Sequence, residues 1–482
     1  MKCDKGITFE ECELLILRQV IDKSEAILGK KLLQSEETQQ IIHIVEKFLR
    51  SKKRVCYGGT AINNILPKDD QFYNKDIELP DYDFFSPSAL KDAKELADIY
   101  YNDGFTEVEA KSGVHHGTFK VFVNFIPVAD ITQVEPVLYK AIQKDSITVA
   151  GIYYAPPNYL RMAMYLELSR PKGDVSRWEK VLKRLTLLNK NFPLKGSKCD
   201  DIDFQRYFGK DNTNTKHNRI EDTIFYTTRD TFIDQGLIFF GAFAKHLYSK
   251  YMPKKIRDKF FKDPDFDVLS EDPETSAIIL KERLKDVGIK NIKIIKRKGV
   301  GEIIAPHYEI KIGLETIAFI YKPLACHSYN VINFGGKNVR IATLDTMLSF
   351  YLAFLYADRK YYDKNRILCM SEFLFKVQQK NRLAQKGVLR RFSIKCYGKQ
   401  STIESMRAEK TQMFKKLKSK RGSKEYDEWF LRYVPSENKS STKFTKKTRR
   451  QKNGSKSKSK RKNKTLKRKN KGKTFGFLTF FK

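Results

Sequence analysis

The sequence predicts an α/β fold, and three observations carry that prediction. Apolar residues recur at helical spacing over residues 8–50 and again over 156–191. Between them, residues 51–135 hold short β-like runs broken by Gly and Pro, such as Phe119-Lys120-Val121-Phe122-Val123. A second block of mixed character, residues 225–395, repeats the alternation.

The elements follow in order. Leu14, Leu15, Leu17, Val20 and Ile21 set the first helical period, Gln40–Leu49 repeats it, and Pro and Gly are nearly absent from this stretch. Pro156-Pro157-Asn158 is a start signal for the helix that follows. The polar stretch Lys195–Asn218 reads as a connector. The expected organisation is an N-terminal helical region (1–50), a first α/β domain (51–195), a connector (196–224), a second α/β domain (225–395), a helical extension (396–437) and a basic tail (438–482). The tail is rich in Lys, Ser, Asn and Arg, a composition that forms no packed core alone. Its apolar end, Phe475–Phe481, is too short to be a domain.

Net charge is +36, and no acid follows Glu437. Residues 439–482 carry 19 Lys and Arg, so subtracting the tail leaves +17 on residues 1–438. A basic body with a basic arm suits a polyanion, RNA or DNA ahead of an acidic membrane. Solubility or a localisation signal is the competing reading for the tail. No apolar run approaches the length of a membrane span. The first residues carry an acid early and lack an apolar core, which argues against a signal peptide. The seven cysteines are scattered and never form a Cys-x-x-Cys pair, which argues against both a zinc site and a disulfide framework and fits a reducing compartment.

Three motifs carry chemistry. In Tyr57-Gly58-Gly59-Thr60, after the short strand Arg54-Val55-Cys56, two glycines admit close approach to a ligand, and amides at a helix start favour phosphate. Taken alone, a Gly-Gly pair there is equally a tight turn. In Asp81-Tyr82-Asp83, an extended backbone projects both carboxylates to one side, where a divalent cation relieves their repulsion. A surface turn with two solvated acids reads equally well in isolation. In Val128-Ala129-Asp130-Ile131, a lone acid stands among apolar residues, as a third metal ligand or as the partner of a lysine.

Together, in this order and spacing, the three resemble the polymerase-β-like nucleotidyltransferases, and more closely the poly(A) polymerase catalytic subunits of poxviruses and giant cytoplasmic DNA viruses. The run Asn158–Pro171, followed by Arg177, Trp178 and Lys180, is similar to the helix after the palm in that viral family. The resemblance covers roughly residues 40–390 and is strongest over 54–185. It implies a palm whose Asp81, Asp83 and Asp130 hold two Mg²⁺ or Mn²⁺ ions about 3.5–4 Å apart, with Gly58, Gly59 and Thr60 on the phosphates of ATP. Arg161 and Tyr165 become candidate ATP contacts. Arg170 and Lys180, with Arg449, Arg450, Arg461 and Lys462 of the tail, become candidate RNA contacts, although an ordinary exposed helix residue is an equal reading for those on the helices. The implied activity is template-independent addition of AMP from ATP to an RNA 3′ end. Rival readings are a CCA-adding or oligonucleotide-synthesising transferase and a non-catalytic RNA-binding subunit. The resemblance further implies a homodimer and residence in the virion and the host cytoplasm, and the lack of a long apolar run leaves no membrane partner expected.

The second block repeats the first in outline. Phe240-Gly241-Ala242-Phe243 matches Tyr57–Thr60, and Asp265-Phe266-Asp267 matches Asp81-Tyr82-Asp83. Aligning Ile310-Lys311-Ile312 with Phe119-Lys120-Val121 sets Tyr321 against Asp130. The expectation is a degenerate nucleotidyltransferase-like domain with a blocked cradle and no third ligand, whose surviving Asp265 and Asp267 are exposed or cap a helix.

Overall fold

The computed structural model describes residues 6–74, 76–202, 215–257, 264–359 and 361–437. Contacts divide the chain into Met1–Pro435 and Ser436–Lys482. The tail residues Arg449, Arg450, Arg461 and Lys462 lie outside the described residues.

Helices α1 (Phe9–Leu33) and α2 (Glu36–Lys52) lead the chain, separated by Ser35, whose hydroxyl accepts from the Thr38 amide and caps α2. The first sheet-bearing half follows as β1 (Val55–Cys56), α3 (Gly58–Ile65), β2 (Tyr82–Ser86), α4 (Ala89–Asn102), β3 (Val108–Ser112), β4 (Thr118–Val123), β5 (Ile126–Gln133), α5 (Pro136–Lys144), β6 (Ile147–Val149), β7 (Ile152–Tyr154), α6 (Pro157–Leu168) and α7 (Trp178–Asn191). The second half comprises α8 (Thr215–Asp234), β8 (Ile238–Phe239), α9 (Ala242–Ser249), α10 (Lys254–Arg257), β9 (Phe266–Leu269), α11 (Pro273–Asp286), β10 (Ile292–Arg297), β11 (His307–Ile312), β12 (Glu315–Tyr321), β13 (His327–Phe334), β14 (Lys337–Ala342), α12 (Leu344–Phe354) and α13 (Lys364–Lys380). The chain then adds β15 (Cys396–Tyr397), α14 (Ile403–Leu417), α15 (Lys424–Phe430) and β16 (Arg432–Tyr433). The helical periods read in the sequence fall on α1, α2, α6 and α7. The apolar residues of α1 do not enter the core, since Leu14, Leu15, Leu17, Val20 and Ile21 are all exposed.

Each half holds an eight-stranded sheet. The first runs β16-β3-β4-β5-β2-β1-β7-β6 and the second β10-β11-β12-β9-β8-β14-β13-β15. Seven strands correspond one to one, with the same parallel and antiparallel pairings. In both halves the short first strand is antiparallel to the next (β1/β2, β8/β9), and that strand is parallel to the third of the meander (β2/β5, β9/β12). The repeat expected from short motifs is therefore a repeat of topology.

The first sheet is two-faced. Phe84, Ala129, Ile131, Phe119, Val121 and Ala110 point to one side and are fully buried. The alternate residues point to the other side, towards a cleft. α6 and α12 pack on each other, and all of α12 is buried. An ion pair lies at its start, where Arg391 donates both Nε and Nη2 to the Asp345 carboxylate, 2.8–2.9 Å away.

Two disulfides overturn the reading of the cysteines. Cys199 is joined to Cys369 and Cys326 to Cys396, Cys12 is also disulfide-bonded, and Cys56 is free and buried. The partners lie 170 and 70 residues apart in the chain. Spacing along the sequence carries no trace of such a pairing.

Candidate active site

The chain leaves β1 at Tyr57, whose amide donates to the Asp83 carbonyl at 2.9 Å. It turns through Gly58 at φ +72°, a left-handed conformation that a side chain strains. A Cβ at Gly58 would stand 2.6 Å from Asp83 Oδ2, so the glycine also clears space for that carboxylate. A Cβ at Gly59 would run into the Tyr73 hydroxyl and the Arg184 guanidinium. The loop is thus held to a side chain on each side, and α3 starts with its first amides unused by the helix.

β2 and β5 run parallel with Asp83 opposite Asp130. Strand alternation turns Asp81, Asp83 and Asp130 to the cleft side, away from the buried Tyr82, Phe84 and Ala129. The triad named from the sequence is therefore brought together. Asp81 stands at the open mouth of β2, while Asp83 and Asp130 are half-buried. Desolvation, then the charges of Asp81 and Asp130, push the Asp83 carboxyl up to about 7, against the opposing pull of Lys120 and Arg177. Desolvation and Asp130 raise Asp81 as well. Asp81 and Asp83, whose carboxyls burial and neighbouring charge push up, form with Asp130 a donor set short of positive charge, and hard oxygen ligands of this kind suit Mg²⁺ or Mn²⁺. Among the described residues no three acid, imidazole or thiol groups already stand in closed ligand geometry. Asp130 is instead ion-paired with Lys120, its register partner on β4.

Several of the predicted contacts are relocated. Thr60 is buried, and its hydroxyl donates to the Asp81 carbonyl at 2.7 Å, so it fixes the mouth of β2 instead of facing a phosphate. Tyr165 is fully buried, with its hydroxyl 3.4 Å from Gln378 of α13, because α6 is sandwiched between the two halves. Arg161 is 1 % exposed; its guanidinium donates to Asn189, Asn158 and the Phe192 carbonyl. Lacking a carboxylate, it is pushed down to about 10 by burial, and it lines a cavity of about 500 Å³ with Asn158, Tyr356 and Lys364. Arg170 is half-buried and donates to the Leu166 carbonyl. Lys180 is exposed, as an anion contact requires.

Three site residues, Arg177, Arg184 and Lys120, receive no role in the sequence reading. Arg184 donates to the Tyr73 hydroxyl at 2.6 Å, covers Phe72 and stands against Gly59. Its charge is the main cause of the lowered pKa of Lys180, with Arg177 adding to it. Arg177, Lys180 and Arg184 thus form a cationic stripe at the start and along one face of α7, and the charge of Arg177 reaches Asp83. Lys120 is the third. The spacing 177, 180, 184 was the available signal; Lys120 stood inside the quoted β run without a role.

The second half lacks these parts. Asp267 takes the place of Asp83, yet its register partner on β12 is Phe319. The counterpart of Asp130 is therefore Phe319, two residues before the expected Tyr321, which lies opposite Leu269. Lys120 is likewise replaced by Glu309, opposite Phe319 and bound to Arg297. Phe243 fills the position of Thr60, packed on Phe239 and Phe266. Asp265 is buried rather than exposed, Asp267 half-buried, and both are engaged in interactions.

A palm-type sheet with an aspartate triad, repeated once without the triad, defines a nucleotidyltransferase-like fold. Within that class, residues 43–174 match the model of the poly(A) polymerase catalytic subunit family. A protein described as a poly(A) polymerase catalytic subunit from African swine fever virus (Tick/Malawi isolate) is 32% identical over 180 residues, 36% of this chain and 38% of that protein. Its counterpart from Acanthamoeba polyphaga mimivirus is 31% identical over 185 residues, 37% of this chain and 30% of that protein. The matched stretch thus spans about a third of these relatives' length. The crystal structure of the Megavirus polyadenylate synthase superposes with a TM-score of 0.74 at 19% identity, covering 94% of this chain and 92% of that one. The resemblance read from the sequence holds, and the fold is shared across both halves.

Proposed function

We propose that this protein adds AMP from ATP to RNA 3′ ends without a template. The observation that carries the reading is Asp83 opposite Asp130, on the face that also holds Asp81, with Arg177, Lys180 and Arg184 beside them. The relatives' names point to the same reaction.

Asp81, Asp83 and Asp130 would hold the two divalent ions. When bound, such ions lower the pKa of the attacking hydroxyl and neutralise the phosphates. The protein's part is positioning and charge. The amides at the start of α3 and the guanidinium of Arg184 would orient the triphosphate. Lys180 and Arg177 would stabilise the departing pyrophosphate. Lys120, released from Asp130 as the site fills, would keep a positive charge at the nucleophile's side. The basic tail would add affinity for RNA with little sequence preference.

We further infer a homodimer, since α1 exposes Phe9, Leu14, Leu17, Val20 and Leu28, an apolar surface that a second copy would cover; sedimentation tests this. The virion and host cytoplasm remain the proposed location, on the resemblance alone. The deciding experiment incubates the full chain with labelled RNA, each nucleoside triphosphate singly, and Mg²⁺ or Mn²⁺. Long products with ATP alone are expected. Short products of fixed length would favour a CCA-adding or oligonucleotide-synthesising enzyme, and no product with any nucleotide would favour a binding subunit.

A further inference from the structure

The strand register of the first sheet aligns four charged residues in one row. Asp130 on β5 faces Lys120 on β4. Lys120 faces Lys111 on β3, and Lys111 faces Arg432 on β16. Directly opposed residues project to the same face, so all four share the cleft side of the sheet. Adjacent strands lie about 4.8 Å apart, which makes the row roughly 15 Å long. Its cations are accessible, at 38% for the Lys120 side chain, 44% for Lys111 and 76% for Arg432.

We propose that Lys120, Lys111 and Arg432 form a backbone track for single-stranded RNA, leading the primer's 3′ end from the sheet edge to Asp130. The proposal rests on the polymerase reading above. In-line phosphoryl transfer places the attacking oxygen and the leaving pyrophosphate on opposite sides of the transferred phosphorus. In this sheet the loop at Gly58, with Arg184 of α7 against Gly59, stands on the β1 side of the triad, and the row stands on the β4 side. If the triphosphate occupies the first side, the primer arrives along the second. Phe122, next to Lys120 on the same face, lies under the Lys111 ammonium at 4.1 Å and helps hold that cation over the row.

The second half supplies an internal control. Its row at the same register reads Phe319, Glu309, Ile295. The half that lost the third aspartate lost the cations with it. A row kept for folding alone would have no reason to vanish together with the acid. Asp130 pairs with Lys120, and one further acid opposes the row: Glu109 lies 3.1 Å from Lys111 and 3.8 Å from Arg432. It holds the two cations in place without RNA and leaves a net positive surface.

The test uses the full chain with Lys111→Glu and Arg432→Glu combined. Fluorescence anisotropy of a labelled single-stranded oligoadenylate, without ATP or metal, should show affinity falling at least about tenfold. Two lost phosphate contacts should reduce the salt slope by about 1.4. In extension assays KM for primer should rise, while KM for ATP and kcat at saturating primer stay at the wild-type values. Glu109→Gln, which removes the opposing charge, should tighten RNA binding. An unchanged affinity and salt slope in the double variant would overturn the track. So would an equal loss in Lys140→Glu/Lys290→Glu, two exposed lysines outside the row, or a rise in KM for ATP alone. If the wild type extends no primer, the polymerase reading falls, and anisotropy still decides the row.

Discussion

Asp267 sits in the register of the second sheet where Asp83 sits in the first, but it faces Phe319, whereas Asp83 faces Asp130. One sheet therefore has a paired acid across β2 and β5, and its copy has an aromatic ring at that place. If the first half holds metal as proposed, this register difference is what leaves the second half without such a site.

Asp83→Asn and Asp130→Ala should each lower AMP addition by at least about a thousandfold, equivalent to about 4 kcal/mol of barrier. Asp267→Asn should leave the rate within about twofold. The rates are to be read beside the melting temperature of each variant. Loss of activity in all three, with folding intact, would sink the assignment of the second half as catalytically silent.

Gly58→Ala should abolish most activity while the protein stays folded, because the added Cβ meets the Asp83 carboxylate at 2.6 Å and φ is +72°. Gly104→Ala is the matched control. It also has positive φ, +106°, but nothing within 4 Å of the added carbon. Both should lose about 1 kcal/mol of stability, and only Gly58→Ala should lose turnover. Equal turnover in the two would show that the close approach to Asp83 has no functional part.

His327 is buried against Phe350, Met162 and Leu166 in the contact between α6 and the second half. Burial, with Arg170 nearby, pushes its imidazole down to about 3. The unfolded chain, with an ordinary histidine near 6.5, binds the proton that the folded chain refuses. Stability from this group is full above pH 6.5 and declines as pH falls towards 3. At pH 5 the decline from His327 amounts to about 2 kcal/mol. Urea unfolding of His327→Leu should be less sensitive to pH over that window than the wild type. An identical pH slope would assign the acid sensitivity to other groups, His307 first, whose imidazole is pushed down to about 4.

Peptide mapping without reductant should recover Cys199 joined to Cys369 and Cys326 joined to Cys396. The Cys199–Cys369 link closes a loop of 170 residues, so its loss removes up to about 5 kcal/mol by loop entropy. Cys369→Ser should lower the melting temperature more under non-reducing conditions than under reducing ones. Quantitative alkylation of all cysteines in the native protein would disprove both pairings.

Much of the architecture is readable from the chain. The Asp81 and Asp83 pair follows from an extended backbone, where every second side chain shares a face, and Asp130 stands out as an acid in an apolar run. Helical period located α1, α2, α6 and α7. The duplication was visible in short motifs because glycine and aspartate keep the same contact in both halves: Gly241 meets Asp267 much as Gly58 meets Asp83. The match of Tyr321 to Asp130 slipped by two residues. The slip lies in the strand before the hairpin: like residues suggest matching Lys120 to Lys311, but strand register puts Glu309 there, and the spacing from Lys120 to Asp130 is the same as from Glu309 to Phe319.

Local physics thus determined which residues are candidates, since alternation, turn chemistry and burial preference act over a few positions. Only the tertiary structure decided their partners. Lys120 meets Asp130 through strand register, the guanidinium of Arg184 on α7 meets Gly59 at the start of α3, and Arg432 reaches Lys111 from more than three hundred residues away through the added strand β16. Tyr165 and Arg161 bear polar groups that suit a ligand, yet the second half covers them. Whether such a group faces a substrate or a core depends on what packs over it, and that is set by residues far away in the chain.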